Sequence, residues 1–291
     1  MTMPQSLEVG NLLGEGVLWD GRIRAAVWTD IEAAKFWQWE PGNPPVSFAL
    51  DQRLGSFGLT AVPGTYIGAF EQGFARFTPE TGTFNLLAPV TAQDPHLRMN
   101  DGRVDRTGQF WAGSMAEQQG SSLGALWRYD GGGDATQMLR HVHIPNSLCW
   151  SIDGRIMYFA DSPRNTIWRY FIGADGEPLG TPEIFATTPP GVHPDGSCID
   201  AEDHLWNAQW GGGEVVRYRP DGSVERRLTL PVSQPSCVTF GGAQLDHLLI
   251  TTARIDLTAA QLLTQPLAGS LLIRAVDVAG VAEPICTSDL R

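Results

Sequence analysis

Apolar and polar positions alternate along this chain in short runs broken by turn residues. The runs AAVWTD (25–30), TYIGAF (65–70), QFWAGS (109–114), IMYFAD (156–161), HLWNAQW (204–210) and HLLITTA (247–253) each read as a strand. A second strand-like run follows every one of them: FWQW (36–39), FARF (74–77), ALWRY (125–129), TIWRY (166–170), VVRY (215–218) and LLIRA (271–275). Stacked helix pairs would instead show apolar spacing of about 3.6, which these segments lack.

The runs belong to a repeat. LGEGVLWD, RMNDGRVD, IPNSLCWS and HPDGSCID superpose so that Glu15, Asn100, Asn146 and Asp195 share one column, and five residues on the column reads Asp20, Asp105, Ser151 and Asp200. Gly55 and Gln234 complete it, with steps of 40, 45, 46, 49 and 39 residues. That period is typical of four-stranded propeller blades, so the chain predicts an all-β fold, one six-bladed β-propeller domain spanning residues 1–291. Either residues 5–9 or residues 283–287 could supply the strand that closes the ring.

Equivalent residues on innermost strands must circle the central channel, so Glu15, Gly55, Asn100, Asn146, Asp195 and Gln234 are expected to face its axis from one end. A second Pro-Asp-Gly, at 220–222, lies outside the column and reads as an ordinary turn. Two carboxylates converging in a narrow channel resist joint ionisation unless a cation compensates them. The donors are hard oxygens, suited to Ca²⁺, Mg²⁺, Mn²⁺ or Fe²⁺. A water-filled channel lined by hydrogen-bonded polar groups is the alternative. His96, His141, His143 and His193 lie on segments leading into the inner strands, where a place at the rim is expected rather than a zinc site.

No Gly-x-Ser-x-Gly elbow and no phosphate-cradling glycine loop occurs, and the Gly triplets at 131–133 and 211–213 read as hairpin turns. Any chemistry is therefore expected to be metal-assisted rather than covalent. A net charge of −12 disfavours nucleic acid and anionic membrane as partners. With no basic-then-apolar leader and no run of about 18 apolar residues, a cytoplasmic protein is expected. No long exposed apolar element demands a partner, and a monomer is expected. Cys149, Cys198, Cys237 and Cys286 form neither a disulfide framework nor a zinc pattern and read as small buried hydrophobes.

GEGVLWD (14–20), RMNDGRVDRTGQFWAGSMAE (98–117), IPNSLCWSIDGRIMYFADS (144–162) and PDGSCIDAEDHLW (194–206) resemble the SMP-30/gluconolactonase/LRE family of sugar lactonases, in order and over essentially the whole chain. The likeness is greatest to bacterial aldonolactonases of pentose oxidation. The resemblance implies a six-bladed propeller with one divalent ion held by Glu15, Asn146 and Asp195, and a sugar lactone contacted by Arg98 and Asn100. Some members carry two acidic residues after Met-Ala. Here Glu117 is followed by Gln118, and both are expected to contact the sugar. The implied reaction is hydrolysis of an aldonolactone, D-xylonolactone first, with Asp195 as general base and a hydroxide on the ion as the competing nucleophile. Fe²⁺ is the favoured ion, with Mn²⁺, Zn²⁺ and Ca²⁺ as alternatives. A phosphotriesterase or aryl-ester hydrolase on the same channel is the second enzyme reading, and a non-catalytic metal-binding scaffold the third.

Overall fold

In the computed structural model, which describes residues 3–92, 94, 96–117 and 123–288, the alternating runs form six antiparallel sheets. Their innermost strands are Gly14–Asp20, Leu54–Thr60, Leu97–Val104, Pro145–Trp150, His193–Ile199 and Pro235–Gly241. In the first five blades the chain then steps outward through three further strands, as in Ala25–Asp30, Lys35–Trp39 and Val46–Ala49 of blade I. Blade VI borrows its outer strand from the N-terminus: Ser6 and Leu7 pair with Leu272 and Leu271. The N-terminal segment thus closes the ring. The C-terminal Ile285–Cys286 instead lies parallel to Leu59 and Thr60 of blade II.

Each blade is apolar on both faces because both are covered by neighbours. Every hydrophobic cluster spans two adjacent blades: Leu18, Val27 and Phe36 meet Leu54, Phe57 and Tyr66 between I and II. Trp111 and Leu126 meet Trp150 and Phe159 between III and IV. Between VI and I, Leu249 and Leu271 meet Trp19 and Trp28. This explains why four of the inner strands, in blades I, II, IV and VI, are buried along their whole length. Cys149, Cys198, Cys237 and Cys286 all join these clusters as buried residues, none of them in a disulfide, as the sequence indicates.

The second repeated column braces the turn after the inner strand, most fully in blades III and V. Asp105 Oδ1 accepts from the backbone N–H groups of Thr107 and Gln109, and its Oδ2 from Trp111 Nε1 at 2.9 Å. Asp200 does the same for Glu202, His204 and Trp206. At that end of the channel the C-terminal tail crosses the axis. Glu283 accepts from Arg103 Nε at 3.1 Å and from Thr239 Oγ1 at 2.9 Å, and Arg103 Nη1 donates to the carbonyl of Ser197. Burial pushes the Glu283 carboxyl up, but Arg103 and Thr239 outweigh it and hold the group below the usual carboxylate range. One short helix, Ala259–Thr264, interrupts the β pattern between the second and third strands of blade VI. No helix among the described residues is long and apolar enough to cross a membrane.

Candidate metal and substrate site

The inner strands are not regular where the column lies. Antiparallel register slips between Glu15 and Leu18, Leu54 and Ser56, Met99 and Gly102, Asn146 and Cys149, Pro194 and Ser197, and Pro235 and Cys237. A bulge re-aims a side chain out of the pleat, and in four of the blades the residue beside it, Glu15, Asn100, Asn146 or Asp195, lines one cavity. The residues after Glu15 and Asn146 both turn left-handed, Gly16 at φ +58° without steric cost and Ser147 at φ +64° under strain. Ser147 is held there by Ser197 Oγ at 2.6 Å and Asn207 Nδ2 at 3.1 Å. Gly55 contributes space instead of a side chain, since a Cβ there would lie 2.7 Å from the carbonyl oxygens of Met99 and Asn100.

The approaches to the column are pinned by carboxylates at the ends of the second strands. Asp30 accepts from the N–H groups of Leu12 and Leu13 just before Glu15, and Asp161 from those of His143 and Ile144 just before Asn146. Ser162 Oγ donates to the carbonyl of Pro194, and Asn207 Nδ2 to that of Asp195.

Glu15, Arg98, Asn100, Asn146 and Asp195 line a single cavity of about 300 Å³ at this end of the channel. All five are at most 9% exposed. Arg98 Nη1 donates to Asn100 Oδ1 at 2.7 Å, Asn100 Nδ2 to Asn146 Oδ1 at 3.3 Å, and Asn146 Nδ2 to Ser162 Oγ at 2.8 Å. Asp195 Oδ1 is buried with no hydrogen-bond partner among the described residues. Burial, and then the Asp101 charge, raise the Glu15 carboxyl to about 8 against the Gly16 N–H and Arg98. Burial followed by the charges of Glu15 and Asp101 lifts Asp195 well above its usual range.

Two buried carboxylates in one cavity, one of them with an unpartnered oxygen, suit a hard divalent cation, and the neutral Asn146 amide oxygen lies in the same cavity. Among the described residues no group of three or more His, Cys, Asp or Glu side chains is placed to hold a metal. A set with only two ionisable members, Glu15 and Asp195, falls below that number. His96, His141 and His143 are exposed, whereas His193 lines the cavity with Nδ1 3.1 Å from the Ser162 carbonyl.

Other expected residues fall differently. Gln234 is buried but does not line the cavity. Glu117 lies just outside it, its carboxylate 3.4 Å from Arg98 Nε and hydrogen-bonded by Arg53 at 2.7 and 2.9 Å. Gln118 lies outside the described residues. Asp221 accepts from the Ser223 N–H and hydroxyl, as expected of a turn, while the other Pro-Asp-Gly runs within the strand His193–Ile199. The remaining wall, including Met115, Ile144, Trp210, Ile255 and Asp256, comes mainly from strand ends and top-face connections that the repeat does not mark.

Residues 13–254 match the family described as the SMP-30/Gluconolactonase/LRE-like region. The chain is 35% identical to a 6-deoxy-6-sulfogluconolactonase of Pseudomonas putida, over 94% of this chain and 95% of that protein. It is also 35% identical to an L-arabinolactonase of Azospirillum brasilense, over 94% and 91%. Its fold is similar to the crystal structure of regucalcin, a calcium-binding protein of Agrobacterium tumefaciens, with a TM-score of 0.92, 30% identity and 98% coverage of both chains. On the family match and these relatives, the chain belongs to the SMP-30/gluconolactonase/LRE-like family.

Proposed function

We propose that this protein hydrolyses the internal ester of an aldonolactone to the aldonic acid, with D-xylonolactone the first substrate to test. The observation that carries this reading is the unpartnered Asp195 Oδ1, buried with Glu15 in a cavity of about 300 Å³, large enough for a single sugar ring. The sugar-lactonase relatives agree with it.

Glu15, Asn146 and Asp195 would hold the divalent ion, whose chemistry when bound is Lewis-acid polarisation of the lactone carbonyl. Asp195 accepts the proton of the attacking water as the new C–O bond forms, and the ring C–O bond then breaks with the proton passing to the leaving oxygen. Arg98 donates charge-assisted hydrogen bonds to the sugar and stays fixed by Asn100. Met115, Ile144 and Trp210 shield the ring from bulk water. Fe²⁺ is the first ion to test, ahead of Mn²⁺, Zn²⁺ and Ca²⁺, because the oxygen donors accept all four.

A pH-stat assay of metal-stripped protein on xylono-, arabinono-, glucono- and galactono-lactones, each ion added back in turn, tests the proposal. Turnover restored by one ion is expected. Absence of turnover with every ion and lactone would return the chain to the scaffold reading, and turnover of an aryl ester or phosphotriester alone to the second enzyme reading.

A further inference from the structure

Arg53 lies outside the cavity, just before the inner strand of blade II, yet it holds the densest set of charges near the site. Its Nη1 and Nη2 donate to the two oxygens of Glu117 at 2.7 and 2.9 Å, its Nε to Glu71 Oε1 at 2.5 Å, and Glu32 stands 3.5 Å from Nη1. A parallel two-bond fork of this kind fixes the plane of a carboxylate as well as its position. The hydrogen bond from Arg53 is the first cause of the lowered Glu117 carboxyl, which therefore stays ionised beside Arg98.

From Glu117 the contacts continue inward, first through an ion pair to Arg98, whose Nε makes no hydrogen bond, and then through hydrogen bonds. Glu117 Oε1 pairs with Arg98 Nε at 3.4 Å, Arg98 Nη1 donates to Asn100 Oδ1, and Asn100 Nδ2 reaches Asn146 Oδ1 and the Pro145 carbonyl. The Arg98 hydrogen bond to Asn100 Oδ1 and the Pro145 carbonyl together orient the Asn100 amide so that its nitrogen faces Asn146. Inside the site Arg98 Nη1 also donates to the Met99 carbonyl at 2.9 Å, and the Glu117 carboxylate adds a hold on the opposite, Nε edge of the guanidinium. Both Glu117 oxygens already accept from Arg53, so the side chain serves as a bracket between two guanidinium groups instead of a direct ligand for sugar hydroxyls.

We propose that Arg53 is a positioning residue for lactone binding, acting through Glu117 to hold Arg98 and, through Arg98, the Asn100 amide. The inference rests on the lactonase reading for its kinetic expression but not for its geometry. It predicts a residue remote from the substrate whose loss weakens binding more than chemistry.

The experiment uses Arg53→Met and Arg53→Lys in the full-length, metal-loaded protein. Outer partners of this type are worth about 10- to 100-fold, so KM for the best lactone should rise at least about tenfold in Arg53→Met, with kcat changed far less. Arg53→Lys keeps the charge and loses the fork, and should fall between the two. Adding Glu117→Gln to Arg53→Met should raise KM no further than Glu117→Gln alone, because both act along one line. Additive effects, or a lowered melting temperature with KM unchanged, would overturn the proposal. A crystal structure of Arg53→Met decides the matter independently of any activity: Arg98 should leave Asn100 Oδ1, and an unmoved Arg98 refutes the inference. Wild-type protein that turns over no lactone would overturn the function instead, leaving this structural outcome as the judge of Arg53.

Discussion

The Arg103–Glu283 pair at the far end of the channel offers a quantitative test of how the ring is held closed. Glu283 is the tail's anchor, receiving two hydrogen bonds from Arg103 and one from Thr239, and both charged side chains are at most 10% exposed. Replacing it by Gln keeps the shape but leaves the Arg103 guanidinium buried without its counter-charge, a change that costs about 3–5 kcal/mol. For domains slightly smaller than this one each kcal/mol shifts the melting temperature by about 2–4 °C, so Glu283→Gln should melt about 6–20 °C lower. The sign with pH follows from the depressed carboxyl of Glu283. Its stabilisation is present above the unfolded value of 4.5 and is lost as pH falls through the lower folded value, so parent and variant should converge in acid. Scanning calorimetry between pH 3 and pH 8 reads both effects. The double variant Arg103→Met, Glu283→Leu should recover much of the loss, because a packed apolar pair carries no desolvation cost. A Glu283→Gln protein melting within about 2 °C of the parent at neutral pH, below the shift expected from even 1 kcal/mol, would refute the reasoning.

Asp195→Asn should lower kcat by about 100- to 10,000-fold while the melting temperature holds or rises, since it removes a proton acceptor and a buried charge together; steady-state rates with a thermal melt check it. In metal-free protein the Glu15 carboxyl, at about 8 when folded against 4.5 unfolded, contributes stability below 4.5 that is lost as pH rises through about 8. Urea melts in chelator should therefore show declining stability across that window, flattened in Glu15→Gln. Asp161→Ala releases two backbone N–H groups before Asn146 and should weaken metal binding about tenfold, measured by competition with a chromophoric chelator.

The inner strands and the channel column were legible in the sequence because ring geometry forces the same register on every blade, down to the braces at Asp105 and Asp200. The outer strands were not: Thr83–Ala88 and Val46–Ala49 are mostly solvent-facing, so burial imposes little pattern on them. The closing strand is two residues long, too short for any period, and only its pairing with Leu271 and Leu272 reveals it. The helix Ala259–Thr264 did carry a signal, the capping box of Thr258 and Gln261, which a reading tuned to strands passes over. At the site, column membership located Glu15, Asn100, Asn146 and Asp195 in the cavity, while Gln234 is buried outside its lining. It was silent on Trp210, Ile255 and Asp256, because connections between strands obey no repeat. The part played by Arg53 was hidden for a different reason, since a bond from residue 53 to residue 117 leaves no trace in local spacing.

The central claim is that bulged inner strands from three blades bring Glu15, Asn146 and Asp195 to one divalent cation. A crystal grown with Mn²⁺ and measured at the manganese absorption edge tests it most directly. The account predicts one strong anomalous peak inside the cavity, with an oxygen from each of the three side chains at about 2.0–2.6 Å. A featureless cavity, or a peak held by other residues, would contradict it.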